Sequence, residues 1–146
     1  DPDFPARITL VISNVENAGG LQKAKEANIP AHIIPHNKKS RAIFDAELSQ
    51  ILKAQKIDLI CLAGFMRILG PEFANEWKDR ILNIHPSLLP DYKGTNTHAR
   101  VLADQKAESG CTVHYVTAEL DDGPAIVQKR VPVLPNDTEE TLAARI

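Results

Sequence analysis

Apolar residues along the chain fall into two rhythms. Short continuous runs rich in β-branched residues read as strands covered on both faces, and runs in which apolar positions recur every three or four residues read as helices. The first rhythm predicts strands over 7–13 (with ITLVI at its heart), 31–35, 58–63 (DLICLA), 80–84, 111–117 and 125–133. The second predicts helices over 18–28, where Gly19-Gly20 weakens the start, and from the cap Ser40 to Gln55. In the latter, Ile43, Phe44, Leu48, Ile51 and Leu52 share one face. A short helix begins at Pro71, where a missing N–H costs nothing, and runs through Trp77. Another spans 97–105. A last helix follows Asp137, whose spacing to Glu140 is that of a capping box. Residues 85–96 are broken by Pro86, Pro90 and Gly94 and read as loop.

Alternating strands and helices predict an α/β fold, a Rossmann-like and mostly parallel sheet with helices on both faces. The last two strands, joined by Leu120-Asp121-Asp122-Gly123-Pro124, read as antiparallel. No repeat divides residues 1–146, so one domain is expected. A strand that starts almost at once and a helix cut at Ile146 lead to the expectation of a piece of a longer domain. In open α/β sheets ligands lie outside the carboxyl ends of strands. That rule selects 64–69, 83–90 and 117–122.

The chain has 146 residues, 43% hydrophobic and 25% charged, with a formal net charge of −2. This balance excludes a disordered chain or a coiled coil. The charge argues against a nucleic-acid partner. No apolar run reaches the ~18 residues of a membrane helix, so no membrane partner is expected. Cys61 and Cys111 both lie in apolar runs and are expected to be buried free thiols. With no signal-peptide pattern, the expected location is cytoplasmic.

The residues able to do chemistry gather at the selected ends. Asn83 and His85 flank Ile84 at the end of a strand and project to one face. An amide donor beside a protonatable imidazole suits a developing oxyanion, although the same pair could be an ordinary strand-end cap. Asp121 in its turn could be turn chemistry alone. Across a cleft from His85, it would hold that imidazole charged and oriented. His114 alternates with Val113 and Tyr115 and reads as a core or second-layer histidine. No HExxH, CxxC, GxSxG, Walker or GxGxxG pattern occurs, and no metal is expected. The segment Met66-Arg67-Ile68-Leu69 after Gly64 is either a helix start on the core or a wall for a flat aromatic ligand.

Three blocks, LAGFMRIL at 62–69, LNIHPSLLP at 82–90 and LDDGP at 120–124, resemble the folate-dependent formyltransferases, most closely the branch acting on glycinamide ribonucleotide. The resemblance covers essentially the whole chain. It implies formyl transfer from 10-formyltetrahydrofolate to the amine of glycinamide ribonucleotide, with no metal and with Asn83, His85 and Asp121 as the catalytic trio. The folate would lie against Arg41, Met66, Arg67, Ile68, Leu69 and Asn83 and the turn of Thr117, Ala118, Glu119, Leu120 and Asp121. The second substrate would contact Gly64, Met66 and Pro86. Thr112 and His114 would stand behind the trio, Thr112 as a candidate water holder. A homodimer is the assembly considered. The family's first strand and Gly/Ser/Asn-rich phosphate loop, and its C-terminal end, have no counterpart here. Relatives that hydrolyse formyltetrahydrofolate share the trio, and a non-catalytic folate- or nucleotide-binding module is the other alternative.

Overall fold

A computed structural model describes residues 3–37 and 39–146. The chain divides into two compact units, Asp1–Ile57 and Asp58–Ile146, where the sequence pattern predicts one domain. Each unit has its own sheet.

In the first unit, strand β1 (Val11–Ser13) runs parallel to β2 (Ala31–Ile33), with helix α1 (Gly19–Glu26) between them in sequence. Both strands are shorter than predicted because their ladder spans only three residue pairs. Gly19-Gly20 opens α1 rather than breaking it. Helix α2 (Arg41–Ala54) starts where Ser40 Oγ accepts from the Ile43 N–H. Its buried stripe is Phe44, Leu48 and Leu52 together with Asp45 and Ser49, while Ile43, expected on that face, is exposed.

The second unit holds β3 (Ile60–Leu62), α3 (Pro71–Glu76), β4 (Ile81–His85), α4 (Thr97–Ala103), β5 (Glu108–Tyr115), β6 (Ala125–Pro132) and α5 (Glu139–Arg145). The sheet order is β3-β4-β5-β6. β3 and β4 are parallel, and the β5–β6 pair is antiparallel as expected. The reversal begins one strand earlier, because β5 already runs against β4. Its carboxyl end therefore lies beside Leu82, at the start of β4, not beside His85. The core of this unit includes Leu69, Phe73, Trp77, Ile81, Val101 and Leu142.

Two local expectations are corrected. The capping box of α5 joins Thr138 to Thr141, not Asp137 to Glu140. Asp137 instead accepts from the Leu134 N–H and pairs with Arg145, so its carboxylate is already used. Cys61 is exposed and Cys111 half-buried; both are free thiols. Cys61 pairs with Leu82, and the sheet face they share also carries the half-exposed Ile84 and Val127.

Candidate active site

Strand β4 is apolar except at Asn83 and His85, and Pro86 ends it. The antiparallel register sets Asn83 opposite His114 and His85 opposite Thr112, all on one face. That face is covered: Thr112 and His114 are buried and His85 is 4% exposed. A shift in the β5–β6 register at Val113/His114 precedes the loop 116–124.

That loop carries Asp121 back across the face. Asp121 sits in the left-handed region (φ 49°), which an aspartate tolerates better than most residues. Gly123 lets the backbone press onto β5, since a Cβ there would lie 1.8 Å from the Tyr115 carbonyl oxygen. Only a glycine fits that approach. The result places Asp121 Oδ2 3.4 Å from His85 Nδ1 and Asp121 Oδ1 3.7 Å from His114 Nε2. The Gly94 N–H donates to Asp121 Oδ2 at 2.8 Å. The buried carboxylate thus has a hydrogen bond and two imidazole nitrogens within reach.

Proton positions follow from the acceptors. His114 Nδ1 lies 2.9 Å from the Tyr115 carbonyl, which can only accept, so Nδ1 carries a proton. The neutral ring then presents the Nε2 lone pair to the Asn83 amide, 3.2 Å away. That fixes the amide with nitrogen toward His114 and leaves its second N–H to donate elsewhere. His85 Nε2 lies 2.9 Å from the Tyr92 carbonyl, and Nδ1 faces the Asp121 carboxylate. The Tyr92 carbonyl can only accept, so Nε2 carries a proton.

The cleft in front of this cluster is lined by Leu62, Phe65, Arg67, Ile68, Leu69, Asn83, His114, Val116, Thr117, Ala118, Glu119, Leu120 and Asp121. Its volume is about 520 Å³, open mouth included. Of the residues expected against the folate, Arg67, Ile68, Leu69, Asn83 and the turn 117–121 line it. Met66 does not and is 85% exposed. Gly64 and Pro86 are not among its lining residues either, and Arg41 opens α2 in the first unit. His85 stands behind Asp121 rather than on the wall. Thr112 holds chain rather than water: its hydroxyl donates to the Ser87 carbonyl and accepts from the Leu89 N–H and Gln128 Nε2. Phe65, inside the selected segment 64–69, and Val116, next to 117–122, line the cleft without having been singled out as site residues. Among the described residues no group of three or more His, Cys, Asp or Glu is arranged to hold a metal ion, and no helix is long and apolar enough to cross a membrane.

An amide, a carboxylate and two imidazoles over one cleft of an α/β sheet define a site for acid–base chemistry at a polar carbon. Residues 1–146 match the formyl transferase family model, and the chain belongs to that family. It is 44% identical over 140 residues to phosphoribosylglycinamide formyltransferase of Escherichia coli, covering 95% of this chain and 66% of that protein. It is 45% identical to the trifunctional purine biosynthetic protein adenosine-3 of Homo sapiens, covering 100% of this chain and 15% of that much longer protein. Among solved structures, phosphoribosylglycinamide formyltransferase of Coxiella burnetii superposes with a TM-score of 0.92 at 48% identity, over 99% of this chain and 68% of that one. A formyltetrahydrofolate deformylase of Pseudomonas syringae superposes with a TM-score of 0.88 at 31% identity, over 96% of this chain and 46% of that one. The chain thus spans about two thirds of these two phosphoribosylglycinamide formyltransferases and a small part of the trifunctional protein.

Proposed function

We propose that the protein transfers a formyl group from 10-formyltetrahydrofolate to the primary amine of glycinamide ribonucleotide, a step of purine biosynthesis. The observation that carries this reading is the Asn83–His114–Asp121–His85 cluster at the floor of a cleft with apolar walls. Leu62, Phe65, Ile68, Leu69, Val116 and Leu120 offer a surface for a flat heterocycle. Asn83 and Asp121 put one donor and one acceptor at its end.

In the reaction the amine nitrogen bonds to the formyl carbon, and the carbonyl electron pair moves onto oxygen. The bond from that carbon to N10 then breaks, and a proton passes from the attacking nitrogen to N10. The free N–H of Asn83 donates to the oxygen as it gains charge, held in place by His114 rather than by water. Asp121 accepts the amine proton and returns it toward N10, directly or through a water. His85 stands one side chain back. When protonated it faces Asp121 Oδ2 at 3.4 Å and adds positive charge beside the oxyanion as it forms. The two unpaired cysteines fit a reducing compartment and hence a cytoplasmic location.

The test is product analysis. Full-length protein is mixed with 10-formyltetrahydrofolate, with and without glycinamide ribonucleotide. Formylated ribonucleotide supports transfer. Formate released at the same rate in both mixtures supports hydrolysis, the activity named for the Pseudomonas syringae relative. Folate binding without turnover marks a binding module.

A further inference from the structure

The loop 91–94 touches both members of the His85–Asp121 pair. The Tyr92 carbonyl accepts a hydrogen bond from His85 Nε2 at 2.9 Å, and the Gly94 N–H donates to Asp121 Oδ2 at 2.8 Å. Tyr92 does this from the left-handed region (φ 58°), where a bulky residue is seldom found unless its surroundings hold it. Here they do. The Tyr92 phenol donates to Asp104 Oδ2 at 2.7 Å, and the Arg100 guanidinium lies 5.2 Å from the centre of its ring. Arg100 also donates to the Lys93 carbonyl at 2.8 Å, and Ser87 Oγ donates to the Asp91 carbonyl at 2.6 Å. The bond to the Asp104 carboxylate is close enough to push the phenol up to about 12. Asp104 itself caps the carboxyl end of α4, and Thr97 and Val101 are buried to anchor that helix.

We propose that Tyr92 and Asp104 are positioning residues for His85: Asp104 anchors the Tyr92 side chain, and the Tyr92 carbonyl thereby holds the imidazole with Nδ1 toward Asp121. A histidine ring can turn about its last torsion, and a turned ring would present carbon instead of Nδ1 to the carboxylate. The Nε2 hydrogen bond is what resists that turn. Neither Tyr92 nor Asp104 lines the cleft, so each acts through the groups that loop 91–94 holds, His85 first. The kinetic part of this inference rests on the proposed formyl transfer; the structural part does not.

Four variants of the full-length protein test it: Asp104→Ala, Asp104→Asn, which still offers an oxygen acceptor, Tyr92→Phe, which keeps the ring, and the double variant of Tyr92→Phe with Asp104→Ala. The first readout is the His85 Nε2 proton by NMR. It is expected to exchange slowly in wild type and Asp104→Asn and fast in Asp104→Ala and Tyr92→Phe. The second is kcat for formyl transfer. It is expected to fall about tenfold in Asp104→Ala and in Tyr92→Phe, short of the ~100-fold that a full ångström of misplacement brings. The double variant is expected to lose no more than either single one, with KM for the folate unchanged. A slowly exchanging His85 proton in Asp104→Ala and Tyr92→Phe overturns the proposal, whatever the kinetics. So does an unchanged kcat in both variants where wild type is active. A wild-type protein that transfers no formyl group defeats the functional reading instead, and the NMR readout still decides this one.

Discussion

Asn83 stands opposite His114 across the β4–β5 ladder, and its amide nitrogen lies 3.2 Å from His114 Nε2. One strand pairing thus does two jobs: it builds the sheet, and it orients an amide that lines the cleft. Replacing the imidazole leaves the amide free to turn. His114→Ala is expected to lower kcat about tenfold while folate affinity changes little, since oriented donors matter most as charge develops. Steady-state kinetics beside calorimetry with a folate analogue checks this. Equal losses in kcat and affinity would mean that His114 only supports the fold.

Gly123 is where the path of the Asp121 loop is decided. Gly123→Ala puts a methyl into the Tyr115 carbonyl, so the loop must lift. Overpacking of this kind is expected to cost about 1–3 kcal/mol in urea unfolding. Activity is expected to fall further than the loss of folded protein explains. A variant with wild-type kcat would show that Asp121 need not sit where the loop now holds it.

Thr112 fastens the chain that follows His85. Thr112→Val keeps the shape but leaves the Ser87 carbonyl and the Leu89 N–H without the hydroxyl they share. Leaving buried polar groups unsatisfied is expected to cost about 1–3 kcal/mol. The urea midpoint measures it, and an unchanged midpoint would contradict the clamp.

Acid stability has a defined source in the second unit. The Arg145 guanidinium, and then the Leu134 N–H, hold the Asp137 carboxyl well below the usual carboxylate range. A depressed folded value means that the stabilisation is present above the unfolded value near 3.9 and fades as pH falls toward the folded one. Asp137→Asn is therefore expected to destabilise at pH 7 and to lose less stability than wild type between pH 5 and pH 2. Parallel unfolding curves for the two proteins across that range would refute the assignment.

How far the sequence alone reached depends on which contacts are local. Asn83 and His85 were legible because a two-residue spacing on a strand fixes a shared face. Ser40 and Pro71 marked their helices through chemistry confined to one turn. Asp121 was selected by the carboxyl-end rule, yet β5 runs against β4 and its end lies away from His85. Asp121 arrives through the returning loop, whose path depends on Gly123 meeting the Tyr115 carbonyl, eight residues back, only after folding. Tyr92 and Asp104 carry no sequence mark at all: a backbone carbonyl bonding a histidine seven residues away is a property of the loop's route. Met66 reads as wall from its neighbours but turns to solvent. Cys61 reads as buried only if its strand is covered on both faces, and its side of the sheet is open.

Formyl transfer by the cluster at the cleft, with Asp121 as its proton acceptor, is tested most directly by removing that carboxylate's charge. Asp121→Asn keeps the shape and removes the charge. The decisive measurement is kcat for formylation of glycinamide ribonucleotide in this variant and in wild type, with folate-analogue affinity taken on the same samples. The account predicts a kcat at least ~100-fold lower with affinity nearly unchanged. Formyl transfer at close to the wild-type rate by Asp121→Asn would contradict it.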